Sequence, residues 1–160
     1  MIDIIFFSIK HINICSKYTN MSKIAYLRID DSQTIKSIQA EFNRIYPFLK
    51  IEFFRESHLK GEGNEKKKMY FLENIKLNKI QTKKKTGKIS IEENKSVADL
   101  ETEFQNIFGL YVQVFRKSGK VWIETSVTDK WPLNEQNEEG KRFSEKLKIE
   151  KEDPNDHDMY

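Results

Sequence analysis

The chain carries a single cysteine, Cys15, among its 160 residues, which excludes an intrachain disulfide framework and any multi-cysteine metal site. A lone thiol fits a reducing compartment, so a cytoplasmic protein is expected. Histidine is nearly as scarce: His11, His58 and His157 show no pair at metal-ligand spacing and read as solvated side chains. No apolar run approaches the roughly 20 residues needed to cross a bilayer, so no membrane role is expected. Apolar residues make up only 38% and charged residues 33%, so the interior must be drawn from a minority of positions. Aromatics are plentiful, with eleven Phe, six Tyr and two Trp, and they argue against wholesale disorder. The length suits one ordinary domain or two very small ones.

The net charge of +3 conceals a partition. Residues 58–88 hold ten Lys against three Glu, a local +7, and residues 128–160 hold six bases against ten acids, a local −4. The blocks 1–57 and 89–127, at +2 and −2, cancel. A concentrated basic segment can meet nucleic acid or an anionic membrane, and an acidic tail can equally screen it. At the other end, Ile2, Ile4, Ile5, Phe6, Phe7 and Ile9 form a short apolar burst with no Lys or Arg ahead of it. Met21 then precedes a clean strand pattern, so residues 1–20 read as an upstream extension rather than a secretory signal or an extra strand.

An internal repeat organises the remainder. The stretch Tyr26 to Phe42 lies over Lys88 to Phe104 without a gap: Leu27 and Ile29 meet Ile89 and Ile91, Asp30 and Asp31 meet Glu92 and Glu93, Thr34 meets Ser96, and Ile35, Ile38 and Phe42 meet Val97, Leu100 and Phe104. After one deletion the register resumes, with Leu49 to Arg55 over Leu110 to Arg116. Thr34 and Ser96 stand where a hydroxyl caps a helix, and the acidic pair upstream suits the positive helix start. Ile35, Ile38, Phe42, Ile45 and Tyr46 keep to one helical stripe, which Val97, Leu100, Phe104, Ile107 and Phe108 repeat. Pro47 and Gly109 end the two helices, and alternating strands follow. Tyr111 to Arg116 and Lys120 to Thr125 form a hairpin turning at Gly119. Met69 to Ile80 is a short apolar piece of undecided type. Asp129 with Pro132 starts a further helix that Gly140 interrupts, and 150–160 frays.

The expected fold is therefore α+β: a ferredoxin-like plait built from two β-α-β repeats with an additional C-terminal hairpin strand. Its segments are an N-terminal extension (1–20), a first repeat (21–57), a basic linker with a short apolar element (58–87), a second repeat plus hairpin strand (88–127), and an acidic, partly helical tail (128–160). The block Gly109 to Gly119, followed by Trp122, Thr128 to Trp131 and Leu133 to Asn137, resembles the C-terminal portion of small uncharacterised proteins from Bacteroidota-like bacteria. That resemblance covers about a third of the chain and implies no activity and no catalytic residues.

Candidate chemistry is sparse. Gly61-Glu62-Gly63 lacks the flanking strand and the Lys-Ser/Thr ending of a phosphate cradle. The repeated acidic pairs, Asp30 with Asp31 and Glu92 with Glu93, would approach one another about a pseudo-twofold axis and could offer oxygens to a divalent cation, but solvated strand ends are the favoured reading. No metal, cofactor or catalytic residue is expected. Lys66, Lys67, Lys68, Lys83, Lys84 and Lys85 are the strongest electrostatic signal; they could contact phosphates, with Tyr70 and Phe71 stacking on bases, although solubilising loops explain them as well. Trp122 and Trp131 could anchor a partner, against core packing as the ordinary alternative. The leading functional expectation is a non-enzymatic protein-binding or regulatory module that contacts an unknown protein or its own copy through sheet edges, the hairpin and the acidic tail. A nucleic-acid-associated protein using the basic linker comes second, and an enzyme whose site is not readable from sequence third.

Overall fold

The structure, a computed structural model, describes residues 25–56, 69–70 and 74–152, with the side chains of 147–152 excepted. Residues 1–20 with Cys15 and His11, and also His58, Lys66, Lys67, Lys68, Phe71 and His157, lie outside the described residues. The first unit comprises β1 (Tyr26–Ile29), α1 (Ile35–Ile45) and β2 (Leu49–Phe54). The second comprises β3 (Gly87–Ser90), α2 (Val97–Glu103), which continues as a π-helical turn Phe104–Phe108, and β4 (Tyr111–Ser118). β5 (Val121–Glu124) and α3 (Leu133–Glu152) follow. No helix among the described residues is long and apolar enough to cross a membrane.

Local sequence sets these boundaries. The Thr34 hydroxyl accepts from the Ser37 amide at 3.2 Å while the Ser37 hydroxyl accepts from the Thr34 amide at 3.0 Å, a reciprocal cap. Ser96 likewise accepts from the Asp99 amide at 3.0 Å. The second helix ends on Gly109 at φ 62°, a left-handed conformation in which a Cβ would sit 2.1 Å from the Thr82 hydroxyl.

Pairing between the units follows the duplication. β1 pairs antiparallel with β3 so that Leu27 faces Ile89, and β2 pairs antiparallel with β4 so that Glu52 faces Gln113. In both ladders a residue faces its own counterpart, so one pseudo-twofold axis passes through both. The fold is α+β and antiparallel, but its strands do not share the single sheet of a ferredoxin-like plait. They divide into a two-stranded sheet, β1–β3, and a three-stranded sheet, β2–β4–β5. The pairing of the second strands, β2 with β4, is what departs from a plait, where they lie at opposite edges of one sheet. Leu27, Ile29, Ile89 and Ile91 from one sheet, Leu49, Ile51, Phe53, Val112 and Val114 from the other, and the helix stripes led by Ile38, Phe42, Leu100 and Phe104 make one buried core.

The repeat extends further than side-chain patterning shows. The Tyr70 amide donates to the Phe53 carbonyl at 2.9 Å, as the Thr125 amide donates to that of Val114, the counterpart of Phe53, at 3.3 Å. Ile35 N–H donates to Ile75 at 3.0 Å and Leu77 N–H to Gln33 at 2.9 Å; Val97 N–H donates to Trp131 at 3.2 Å and Leu133 N–H to Lys95 at 2.9 Å. Leu77 and Leu133 are fully buried counterparts, and each opens a helical segment, the 3-10 turn Leu77–Lys79 and α3. The undecided piece from Met69 to Ile80 is thus neither one strand nor one helix.

Gly140 does not interrupt α3, which runs through it. A Cβ there would lie 2.9 Å from the Phe48 Cβ and 3.1 Å from the Arg116 Cγ, so the glycine lets the helix pass close to both residues. Tyr46 ties the units together by donating its hydroxyl to the Ile91 carbonyl at 2.9 Å. Burial, reinforced by the negative Glu93 and Glu92, pushes that hydroxyl up to about 12, so it remains a donor at ordinary pH. Leu77→Ala and Leu133→Ala should each lower stability by about 2–5 kcal/mol in chemical denaturation. A Leu77→Ala cost as small as that of a surface change would show that the first copy's third segment is not seated in the core.

Candidate interaction edge and its cleft

The second unit closes with a hairpin. Ser118 faces Val121 across a turn in which Gly119 adopts φ 60°, and Lys117, Arg116 and Phe115 then face Trp122, Ile123 and Glu124. Among the described residues no strand pairs with the outer edge of β5. Alternate residues of an antiparallel strand turn their backbone groups to opposite sides. Thr125 N–H bonds to Val114 of β4, which assigns Ile123 and Val121 to the β4 side as well. Trp122 and Glu124 therefore direct their amides and carbonyls outward.

Side chains around this edge are apolar on one face and cationic on the other. Val121 and Ile123 are 58% and 37% exposed, and Val127 in the following turn is 93% exposed. On the opposite face the Lys50 ammonium lies 5.4 Å from the Trp122 ring centroid and 5.0 Å from that of Phe115, and the Lys117 ammonium lies 6.0 Å from Trp122. Lys50 also pairs with Glu52 at 2.8 Å. Trp122 thereby borders an open cleft of about 450 Å³ whose other lining includes Tyr70, Lys36, Gln39, Asn43 and Glu52. The Arg55 guanidinium lies 5.6 Å from the Tyr70 ring, so both aromatic borders carry cations.

Trp131 sits elsewhere and does different work. Its ring lies 5.7 Å from the guanidinium of Arg116, whose Nη1 donates to Gln136 at 2.8 Å. Gln136 in turn donates to the Thr128 carbonyl at 2.7 Å. Together with the Val97 bond to its carbonyl, these contacts make Trp131 the joint that seats α3, and the ring is 36% exposed. The structure brings Trp122 to the β5 edge and keeps Trp131 at the helix junction.

A row of amides and carboxylates crosses the pseudo-twofold axis. Gln39 on α1 donates to Glu52 on β2 at 2.7 Å and to the Ile51 carbonyl at 2.9 Å. At the counterpart positions Gln113 on β4 donates to Glu101 on α2 at 3.0 Å, and Glu101 also accepts from the Val114 amide at 2.9 Å. Helix amide and strand carboxylate in one copy become helix carboxylate and strand amide in the other. Sequence reasoning missed this row, although the repeat aligns Gln39 with Glu101 and Glu52 with Gln113. Burial pushes the Glu101 carboxyl up to about 8; the Val114 amide opposes this, and the negative Asp129 and Glu124 add to it.

Lys83, Lys84 and Lys85 precede β3 and do not line the cleft. The Lys83 ammonium donates to the Asn106 carbonyl at 2.6 Å, which ties it to the end of the second helix. Among the described residues no group of three or more His, Cys, Asp or Glu side chains could hold a metal ion. Asp30 instead accepts from the Ser32 hydroxyl, from the Ser32 amide at 2.9 Å and from Arg28 at 3.1 Å. No family model, curated protein or solved structure matches the chain.

The Glu101 carboxyl sets a pH dependence. In the unfolded chain it loses its proton near 4.5, and in the folded chain near 8, so between these the native state holds more protons and stability falls as pH rises. Glu101→Gln keeps an acceptor for the Val114 amide and cannot ionise. Its denaturation curves should change less from pH 5 to pH 8, and at pH 8 it should exceed the parent by roughly 3–5 kcal/mol. Parallel pH profiles for the two proteins would contradict this account.

Proposed function

We propose that the chain is a protein-binding module that accepts a polypeptide strand along the outer edge of β5. The observation that carries this reading is the outward set of backbone groups at Trp122 and Glu124 on an edge that no described strand covers. A partner strand would add to the β2–β4–β5 sheet through main-chain hydrogen bonds, which supply affinity without sequence preference. Selectivity would come from side chains: Val121 and Ile123 offer an apolar strip on one face, and the cation-flanked Trp122 ring offers a platform on the other. The mechanism is steric, since the bound strand occupies the edge and the mouth of the neighbouring cleft.

The test is a residue that removes the outward donor and leaves the hairpin intact. The Trp122 amide faces away from β4, so Trp122→Pro takes no hydrogen bond from the ladder. The variant should melt cooperatively and keep the parent's far-ultraviolet spectrum, yet lose the proteins that the tagged parent captures from source-cell lysate. Capture of the same proteins by a folded Trp122→Pro chain would refute the edge as the binding site. Nucleic-acid association through Lys83, Lys84 and Lys85 makes a different forecast, binding to a generic oligonucleotide that weakens steeply with salt.

A further inference from the structure

We infer that the strand accepted at β5 is β5 of a second copy, paired antiparallel in a register centred on Trp122; this rests on the strand-addition reading above. Pairing across a twofold axis is self-complementary, so each residue must suit the one that the axis sets against it. Only outward-directed residues can bond to outward-directed residues, which confines the axis to Trp122, Ile123 or Glu124. Centred on Trp122, the run Lys120-Val121-Trp122-Ile123-Glu124 matches its own reverse. Lys120 meets Glu124 of the second copy, Val121 meets Ile123, and Trp122 meets Trp122, and the first two pairs each occur twice. Centred on Ile123, Trp122 would meet Glu124 and Val121 would meet Thr125, which leaves Lys120 without an acid.

The chosen register also covers what the lone chain exposes. Val121 at 58% and Ile123 at 37% exposure lie directly opposite one another across the new ladder, where apolar cross-strand pairs gain most. On the other face the two Trp122 rings meet, each flanked by its own Lys50 and Lys117. The three-stranded sheet becomes one of six strands. A strand of four residues buries little area, so the dimer is a weak one, with a dissociation constant in roughly the micromolar to hundred-micromolar range.

Sedimentation equilibrium on the full chain, from low micromolar to several hundred micromolar, reads the association directly. Lys120→Glu sets acid against acid and Glu124→Lys sets base against base, each at two places, so either variant should dimerise about tenfold more weakly than the parent. Mixed in equal amounts, the two variants should associate with each other at near-parental strength, because every new acid then faces a new base. The double variant K120E/E124K should regain a homodimer for the same reason. Lys120 is exposed in the turn and Glu124 is half-buried at the edge, and thermal melts verify that the variants fold. A parent that stays monomeric throughout, single variants that dimerise like the parent, or a mixture that fails to associate would each overturn the self-pairing. If the parent is monomeric while lysate capture still depends on Trp122, self-pairing falls and strand addition stands; if Trp122→Pro alters neither, both fall.

Discussion

When the two strands of a β-α-β unit do not pair with each other, their backbone donors and acceptors need partners elsewhere, and buried polar groups without one are costly. Neither unit of this protein pairs its own two strands. β1 finds its ladder in β3 and β2 in β4, so the strands of each unit depend on those of the other. The single core, the stacking of helix stripes against both ladders and the meeting of Glu52 with Gln113 on the axis all follow from that mutual dependence. The Tyr46 bond to Ile91 reinforces it, while the bonds of Ile35 to Ile75 and of Val97 to Trp131 join each unit to its own third segment.

The proposed binding edge lies where the two copies differ. After its second strand the first copy carries residues 55–68 before Met69 bridges back to Phe54. The second copy has only the turn at Gly119 and Lys120, and its returning segment is a full strand, β5. Among the described residues, the outer edge of the larger sheet is built from β5, for which the first copy shows the bridge from Met69 to Phe54. The polar row shows a milder asymmetry. Exchanging amide for carboxylate preserves each helix-to-strand hydrogen bond, yet it moves the buried acid from the first copy to the second and gives the protein a titrating group next to the β4 amides.

Much of this was legible in the sequence because it is local. The hydroxyl caps at Thr34 and Ser96, the apolar stripes, the left-handed Gly109 and the hairpin at Gly119 each depend on a few neighbouring residues. The division into two sheets was not legible, since alternation marks a strand without naming its partner. The equivalence of the segments around Leu77 and Leu133 escaped notice because backbone bridges hold them and leave no shared side-chain period. Gly140 was misread for a related reason: a glycine within a helix signals a break when its contacts are unknown, and here Phe48 and Arg116 require its small size. The edge of β5 needed both levels, its composition from the sequence and its hydrogen-bond parity from the structure.

The most direct test of the mutual pairing is a set of Hα–Hα nuclear Overhauser effects. In antiparallel ladders these arise strongly between residues that face each other without exchanging hydrogen bonds. Ile91 N–H bonds to Ala25 and Lys117 N–H bonds to Phe48, which fixes those facing pairs as Tyr26 with Ser90, Arg28 with Lys88, Ile51 with Val114 and Phe53 with Val112. The account predicts all of them, in two sets related by the pseudo-twofold axis. Effects linking β1 to β4 and β2 to β3, as in one interleaved sheet, would contradict it.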